Sequence, residues 1–559
     1  MAYFCTVTTY FVKMIHPDAF TISGTIADVV NNRLFKGAIT VSGGKIIAIA
    51  ETETADDQFI IPGFIDSHVH IESSMLLPSE FARLASVHGT VATVSDPHEI
   101  ANVLGVAGVK YMIANGAKVP FKFFFGAPSC VPATPFETSG AAITADQVEE
   151  LLQMDEIYYL SEMMNFPGVL FGDAEVTAKL TSAKKAGKPI DGHAPGLMGD
   201  DVIKYSAAGI STDHECFTIE EGIAKINTGM KVLIREGSAA RNFDDLVGLL
   251  HDHADMIMFC SDDKHPDDLV RGHINLLARR AVALGHDPMK VLRCCTYNPV
   301  KHYGLTVGLL QTGDAADFAV VKDLKQFEVL GTYIDGVLVA ANGQTKIASL
   351  EEKPINIFNA QKLNPEDLMV PALEKEIKVI RAFDGQLITE AFLAEANIDK
   401  GNIISDTQTD ILKIVVLNRY AHSKPAIAFV QGFGMQKGAI ASTVAHDSHN
   451  IIAVGVTDDE IAKAINLLID EKGGISIVNG TEYKVLPLPV AGLMSNLDGY
   501  QVAYMYEEIN TAAKGLGTKL ITPYMTLSFM ALLVIPSLKL SDKGLFDGIN
   551  FQFTNIFSK

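Results

Sequence analysis

A repeating unit between residues 62 and 300 constrains the fold of this sequence more than any other feature. Each unit has a short apolar run, a polar residue and then an amphipathic stretch, and it recurs eight times. The apolar runs end at Asp66, Val94, Phe125, Leu160, Asp191, Ser211, Ile234 and Phe259. Strands that alternate with helices form parallel β/α units, and eight units in about 240 residues have the size of a closed barrel. We therefore expect an α/β fold with a (β/α)8 TIM-type barrel, and an open doubly wound sheet is the alternative.

Two segments that flank this region have a different texture. Short apolar stretches alternate with glycine and asparagine turns in residues 20–60, and the same residue pattern occurs again in residues 313–346. Both stretches fit one small β-structure beside the barrel. The sequence therefore predicts a composite β-domain from residues 1–60 plus 306–350, with the barrel over residues 61–305.

The pattern of apolar and amphipathic stretches changes again after residue 355. A capping box at residues 457–460 opens an amphipathic helix that runs to Glu471, and Gly473 and Gly474 follow it. Apolar runs at residues 413–417, 426–430 and 451–454 indicate strands. We expect a separate C-terminal α+β domain over residues 355–559.

The composition disfavours several kinds of partner. The chain has 559 residues and a formal net charge of −21, so it lacks the excess of Lys and Arg that binds nucleic-acid phosphates. Its six cysteines include no C-x-x-C pair, which fits a reducing compartment. Residues 1–15 show no signal-peptide pattern, and the apolar run at residues 524–536 is shorter than the roughly twenty residues that span a bilayer. We expect a cytoplasmic protein with no nucleic-acid or membrane partner.

Candidate metal ligands follow the ends of five of the eight predicted strands. In a barrel the carboxyl ends of all strands meet at one mouth, so residues distant in sequence share a site. His68 and His70 end the first strand, and residues two apart on a strand point the same way. The other strand ends carry Glu162, His193, His214 and Asp262. Four imidazoles with two carboxylates suit Zn, Mn or Fe better than Mg or Ca, so we expect a metal site at the mouth.

Several sequence blocks resemble one known family. The blocks PGFIDSHVHIESSM at residues 62–75, SDPHE at 95–99, DGHAPG at 191–196 and SDD at 261–263 are similar to those of the adenine deaminase family, within the amidohydrolase superfamily. The likeness continues in GFG at 432–434, GAIAS at 438–442 and AHDSHN at 445–450, and so covers nearly the whole chain. One segment departs from the family pattern, because residues 418–425 read NRYAHSKP where the family tends to be glycine-rich.

The resemblance implies a reaction and a metal centre. The reaction is the hydrolytic deamination of adenine to hypoxanthine and ammonia, with two divalent ions, Mn²⁺ or Fe²⁺ in preference to Zn²⁺. The implied ligands are His68, His70, Glu162, His193, His214 and Asp262. Asp262 is also the implied catalytic acid and base, and Glu162 is either a bridging ligand alone or also a proton donor to the purine ring. Adenine is then the small-molecule partner, and we expect a homo-oligomer such as a dimer.

Further polar residues are candidates for binding the substrate: Glu72, Ser73, Asp96, His98, Asp263, His446, Asp447 and His449. The first five follow strand ends, and the last three form a polar cluster in the C-terminal domain. We expect this cluster to be a loop that reaches the barrel mouth, with a further metal site or a hydrogen-bonded turn as alternatives. Arg235 and Glu236 end the seventh strand, where we expect a salt bridge at the rim.

Two other functions remain open from the sequence. A cyclic amide or ureide hydrolase, similar to dihydroorotase, would keep the barrel, but such enzymes often carry a lysine at the fourth strand end, where this chain has Glu162. A non-catalytic relative would have lost a metal ligand, whereas all six expected ligand positions are filled.

Overall fold

A computed structural model describes residues 19–558 of the chain. The predicted absence of a signal peptide in residues 1–15, and the start of the composite β-domain, lie outside the described residues.

Four strands precede the barrel: β1 (Phe20–Asp28), β2 (Arg33–Ser42), β3 (Lys45–Glu51) and β4 (Phe59–Pro62). Eight strands then form the barrel: β5 (Phe64–Val69), β6 (Thr90–Ser95), β7 (Lys122–Ala127), β8 (Ile157–Met163), β9 (Ile190–Gly192), β10 (Thr212–Asp213), β11 (Lys231–Arg235) and β12 (Ile257–Cys260). Four more strands follow the barrel: β13 (Phe318–Val321), β14 (Val329–Ile334), β15 (Val337–Ala341) and β16 (Gln344–Thr345).

The eight barrel strands are parallel and close into a ring. Strands β5–β9 form one ladder and β10–β12 another. The Ser211 amide donates to the Ile190 carbonyl (2.9 Å) and links the two ladders beside β9, and the Asp262 amide donates to the His68 carbonyl (2.9 Å) and links β12 to β5. The predicted TIM-type barrel is therefore confirmed, and the open doubly wound sheet is excluded because its first and last strands would not meet.

Helices follow the barrel strands: α1 (Pro78–Ala85), α2 (His98–Leu104), α3 (Val106–Gly116), α4 (Ala145–Leu152), α5 (Phe166–Phe171), α6 (Ala174–Ala186), α7 (Gly199–Ala207), α8 (Ile219–Asn227), α9 (Phe243–Leu246), α10 (Leu250–His253), α11 (Pro266–Arg271), α12 (Ile274–Ala283), α13 (Pro288–Cys295) and α14 (Tyr297–Tyr303). Local sequence sets their ends. Thr144 and Gln147 form a capping box at α4, and Asp173 caps α6, which ends at Gly187 with a φ of +65°.

The two flanking segments meet in one sheet. Its strand order is β16-β15-β14-β13-β4-β1-β2-β3, and β13 pairs antiparallel with β4. This sheet contains strands from both ends of the barrel region, as the texture of the sequence predicts. The boundaries at residues 61–305 and 306–350 stay our proposal.

The C-terminal part is rich in strands: β17 (Val370–Pro371), β18 (Glu376–Arg381), β19 (Glu390–Glu395), β20 (Ile398–Asp399), β21 (Asn402–Ile403), β22 (Leu412–Leu417), β23 (Ala426–Gln431), β24 (Ala439–Ser442), β25 (Ile451–Gly455), β26 (Gly474–Asn479), β27 (Glu482–Pro487), β28 (Leu538–Ser541), β29 (Gly544–Asp547) and β30 (Gln552–Phe553). Its helices are α15 (Asp458–Glu471), α16 (Gly499–Lys514) and α17 (Pro523–Phe529). Eight strands form its main sheet in the order β19-β18-β23-β22-β25-β24-β26-β27.

The C-terminal domain packs against the mouth of the barrel. Asn450 donates to the Thr138 carbonyl (2.9 Å), and the hydroxyl of Tyr506 lies 2.6 Å from Nδ1 of His265. One apolar core runs through both parts, since it contains Val94 of the barrel and Val490 of the C-terminal domain. The described residues include no helix with the length and apolarity that crossing a membrane requires.

Asp66 forms hydrogen bonds between the first and the last barrel strand. A substitution at this position therefore measures how much closure of the barrel contributes to the free energy of unfolding. Its carboxylate accepts the Ser261 amide (2.9 Å), the Ser261 hydroxyl, and Nε2–H of His273 (2.8 Å), and it is fully buried. Asp66→Asn places an amide N–H against these donors, so we expect a loss of about 2–4 kcal/mol in the free energy of unfolding. Denaturant unfolding followed by circular dichroism measures this loss.

Asp255→Asn is the matched control for that measurement. The Asp255 side chain is 78% exposed and pairs with Arg293 at the surface, so we expect a change of less than about 0.5 kcal/mol. Equal losses in both variants would show that the Asp66 contacts do not stabilise the barrel closure.

Candidate metal centre and substrate cavity

The end of β5 presents two imidazoles to the barrel mouth. Nε2 of His68 lies 3.2 Å from Nε2 of His70, and both rings are buried. Asp262 faces them from the end of β12, with Oδ1 at 3.2 Å from His70 Nε2 and 3.6 Å from His68 Nε2. A φ of +54° at Asp262 turns the chain sharply after β12, and Asp tolerates this conformation better than most residues. The main-chain pairing of β12 with β5 thus brings the three side chains together.

Glu162, on β8, lies at the centre of the cluster. Its Oε1 is 3.3 Å from His70 Nε2, and its Oε2 is 2.8 Å from His193 Nδ1 and 3.2 Å from His214 Nε2. Burial alone would raise the pKa of Glu162, but the charges of nearby imidazoles, His193 foremost, hold it well below its usual range. The carboxylate is therefore ionised and surrounded by nitrogen donors.

The donor set fits a metal centre. The ligand atoms of His68, His70 and Asp262 lie within 4.8 Å of one another, as do those of His68, Glu162 and His214. Nδ1 of His68 and Nε2 of His193 are buried without a hydrogen-bond partner in the structure. Buried imidazole and carboxylate donors that converge in this way suit a divalent transition metal. All six ligands expected from the sequence thus lie in one cluster.

A cavity lies at this cluster, and five of the six expected ligands are among its lining residues. Its floor is polar and includes His98, Glu162 and Asp263 of the barrel. The C-terminal domain adds the polar residues His446 and Asp447, and it supplies an apolar roof that consists of Leu387, Phe529, Leu532 and Val534. A polar floor under an apolar roof suits a small molecule that carries hydrogen-bonding groups.

The chain matches two family models. Residues 59–339 match the amidohydrolase family, and residues 386–552 match the adenine deaminase C-terminal domain. A protein named adenine deaminase from Methanosarcina barkeri is 54% identical over 548 residues, which cover 96% of this chain and 99% of that protein. Another protein of that name, from Salinibacter ruber, is 53% identical over 544 residues (97% and 99%). The chain belongs to the adenine deaminase family.

The C-terminal domain of this adenine deaminase family member contributes a loop to the mouth, as the sequence predicts. His446 Nδ1 lies 2.7 Å from Oε1 of Glu99, and Nε2 of His449 contacts Oε2 of the same carboxylate. Burial opposes protonation of His446, but Glu99 and neighbouring acids raise its pKa to about 9. A buried ion pair therefore joins this loop to the barrel.

The substrate-binding candidates divide into two groups. His98, Asp263, His446 and Asp447 line the cavity, whereas Glu72, Ser73, Asp96 and His449 lie behind it. Those behind it contact the cavity lining or its neighbours: Ser73 donates to Asp263 (2.5 Å), Asp96 accepts the His98 amide (3.1 Å), His449 contacts Glu99, and Glu72 accepts the Ile100 amide (3.1 Å).

Arg235 lies in the site, whereas the sequence predicted a salt bridge for it at the rim of the barrel. Its side chain is instead buried, and Nη1 lies 2.6 Å from Oδ2 of Asp262 while Nη2 donates to Glu215 (2.9 Å). Glu236 pairs elsewhere, with Arg280 (2.6 Å). Arg235 ends β11 directly beside Asp262, so its place in a closed barrel is the signal that could have identified it. Burial raises the pKa of Asp262, and Arg235 is the foremost group that lowers it, with a net shift well below the usual range.

Glu99 belongs to the block at the second strand end, and its contacts with the C-terminal domain were not predicted from the sequence. It lies at the start of α2, directly after His98, and receives both histidines of the C-terminal loop. The two histidines lie about 350 residues away along the chain, which hides the contact from local patterns.

The ion pair between Glu99 and His446 predicts a pH-dependent stability. The His446 pKa rises from 6.5 to about 9 on folding, so its contribution is fully present below pH 6.5 and is lost as the pH rises toward 9. We expect Glu99→Gln to remove a stabilisation of the order of 2 kcal/mol at pH 6.5 and less at pH 9. Denaturant unfolding at both pH values measures the difference between wild type and variant.

Glu236→Gln provides the control for other groups that titrate in this range. It removes a carboxylate that forms salt bridges with Arg241 and Arg280 at the barrel surface. We expect its loss to be the same at pH 6.5 and pH 9. A Glu99→Gln loss that does not shrink with rising pH would contradict the ion-pair assignment.

Proposed function

We propose that the chain hydrolyses adenine to hypoxanthine and ammonia at a two-metal site in the barrel mouth. The observation that carries the proposal is the buried Glu162 carboxylate between two sets of imidazoles, in the lining of a cavity that also holds further hydrogen-bonding side chains. The close similarity to proteins named adenine deaminase, along nearly the full chain, supports adenine as the substrate.

The proposed metal ligands are His68, His70, Glu162, His193, His214 and Asp262. The first two and Asp262 form one group, His193 and His214 form another, and Glu162 contacts both. Imidazole and carboxylate donors accept Mn²⁺, Fe²⁺ and Zn²⁺, and the family resemblance is the reason that we propose Mn²⁺ or Fe²⁺ in preference to Zn²⁺. Two divalent ions held by these residues would supply a nucleophilic water near neutral pH.

The chain's own residues then move the protons. Asp262 accepts a proton from the attacking water and delivers it to the amino group that leaves C6 as ammonia. Arg235 holds Asp262 through its Oδ2, which leaves Oδ1 directed at the imidazoles of β5. The water gives up two protons in the whole reaction. We propose that the ionised Glu162 takes up one of them and passes it to the ring nitrogen beside C6, which gains negative charge during attack, while Asp262 transfers the other.

The substrate contacts follow from the cavity. His98, Asp263, His446 and Asp447 present donors and acceptors to the purine edge, and the apolar roof covers its face. We propose that Glu72, Ser73, Asp96 and His449 support binding by orienting these groups. No observation favours the cyclic amide hydrolase over this reaction, because the strand-four residue is a glutamate rather than a lysine.

We further propose that the enzyme is cytoplasmic and forms a homodimer. The five cysteines among the described residues have free thiols and are buried, which fits a reducing compartment. Homo-oligomers with twofold symmetry are the commonest assemblies of soluble enzymes.

Ammonia release from adenine tests the proposed reaction. We expect metal-dependent turnover of adenine by the wild type and no turnover of guanine or dihydroorotate. Asp262→Asn removes the proton acceptor, so kcat should fall about a thousandfold or more. His251→Ala changes an exposed histidine on α10 and should leave kcat unchanged. Turnover of dihydroorotate without turnover of adenine would overturn the substrate assignment.

Metal content provides a separate test of the ligand set. The wild type, loaded with Mn²⁺ and gel-filtered, should retain about two equivalents by mass spectrometry of the metal. His68→Ala and His193→Ala each remove one nitrogen donor from a different group and should each lower the retained Mn²⁺. His251→Ala should retain the wild-type amount, and retention unchanged in both ligand variants would contradict the assignment.

A further inference from the structure

A lysine is buried in the C-terminal domain without a carboxylate beside it among the contacts of the described residues. Lys539 lies on β28 and is fully buried. Its ammonium donates to the Leu387 carbonyl (2.6 Å) and to the Phe529 carbonyl (2.8 Å). Burial lowers the pKa of Lys539 to about 7. Burying a charge that is paired only with main-chain oxygens costs free energy, so we expect Lys539 to have a role in addition to packing.

The two carbonyls belong to residues of the cavity roof. Phe529 is the last residue of α17, where helix carbonyls lack partners within the helix, and a cation at that end is favourable. Leu387 lies in the connection between β18 and β19. The side chains of both residues line the cavity, and the Phe529 ring packs against His446, with centroids 5.3 Å apart.

We propose that Lys539 is a positioning residue that holds the apolar roof over the substrate. It binds the Leu387 and Phe529 carbonyls with one ammonium, and so fixes the positions of these two residues in the cavity lining. The inference rests on the proposed function, since the roof matters only if a flat base binds beneath it. Loss of the ammonium removes the partner of the buried Leu387 carbonyl and leaves the Phe529 carbonyl with the Leu532 amide alone (3.2 Å), and the roof relaxes away from the base.

The role predicts a particular kinetic signature. The roof contacts the purine face equally in the ground state and the transition state, because the chemistry occurs at the polar floor. A defect in the roof therefore weakens uniform binding, which raises KM and leaves kcat nearly unchanged. A variant that only destabilises the fold lowers the amount of active enzyme and leaves KM as it is.

The chain contains a matched control for this experiment. Lys413, on β22, is a second buried lysine of the same domain, and its ammonium donates to the Leu368 carbonyl (2.8 Å) and contacts Asp458. Neither Leu368 nor Asp458 lines the cavity. Lys413→Met thus removes a buried ammonium from the domain without touching the roof.

The test compares kcat and KM for adenine in wild type, Lys539→Met and Lys413→Met, with active sites counted by bound Mn²⁺. We expect KM to rise about tenfold in Lys539→Met with kcat within about threefold of wild type, and KM to stay unchanged in Lys413→Met. An unchanged KM in Lys539→Met, or an equal rise in both variants, would overturn the proposal. A wild type that does not turn over adenine would instead overturn the proposed function.

A second variant keeps the proposal testable if Lys539→Met does not fold. Leu387→Ala trims a roof side chain and leaves Lys539 in place, whereas Leu363→Ala trims a leucine of equal exposure (8%) in a different apolar cluster of the domain. We expect a raised KM with nearly unchanged kcat for Leu387→Ala and a wild-type KM for Leu363→Ala. A wild-type KM in Leu387→Ala would show that the roof does not hold the base.

Discussion

The Glu162 carboxylate and the imidazoles around it are the interaction on which the rest of the structure depends. Taking an ionised carboxylate out of water costs several kcal/mol, and only closely placed positive or donor groups offset that cost. His70, His193 and His214 supply them from three other strand ends, at distances of 2.8–3.3 Å from the carboxylate. Such convergence requires a closed barrel, because the strand ends of an open sheet lie along a line.

The C-terminal domain turns this exposed mouth into an enclosed cavity. Glu99 receives His446 and His449 at one side of the opening, and the apolar residues of the roof cover the centre. Enclosure lowers the local dielectric constant, so that the charges of the floor act more strongly on a bound base. The C-terminal domain therefore affects the reaction proposed at the barrel mouth, and it also shares an apolar core with the barrel.

The sequence was sufficient to predict the barrel and the clustering of the six proposed ligand side chains, because barrel topology brings every strand end to one mouth. His68, His193 and Asp262 were identifiable from their place after apolar runs alone. Arg235 was not, since an arginine at a strand end is usually exposed and only the pairing of β11 with β12 directs it toward Asp262. Contacts between domains, such as that of Glu99 with His446, depend on how two folded units pack, and no local pattern encodes that packing.

Anomalous X-ray diffraction at the manganese edge would show whether the ligands around Glu162 hold two divalent ions, as we claim. Crystals of the Mn²⁺-loaded protein should show two anomalous peaks, one beside His68 and His70 and the other beside His193 and His214. A double Glu162→Gln, Asp262→Asn variant, measured in the same way, should lose at least one peak. A single peak in the wild type, or peaks away from Glu162, would contradict the claim.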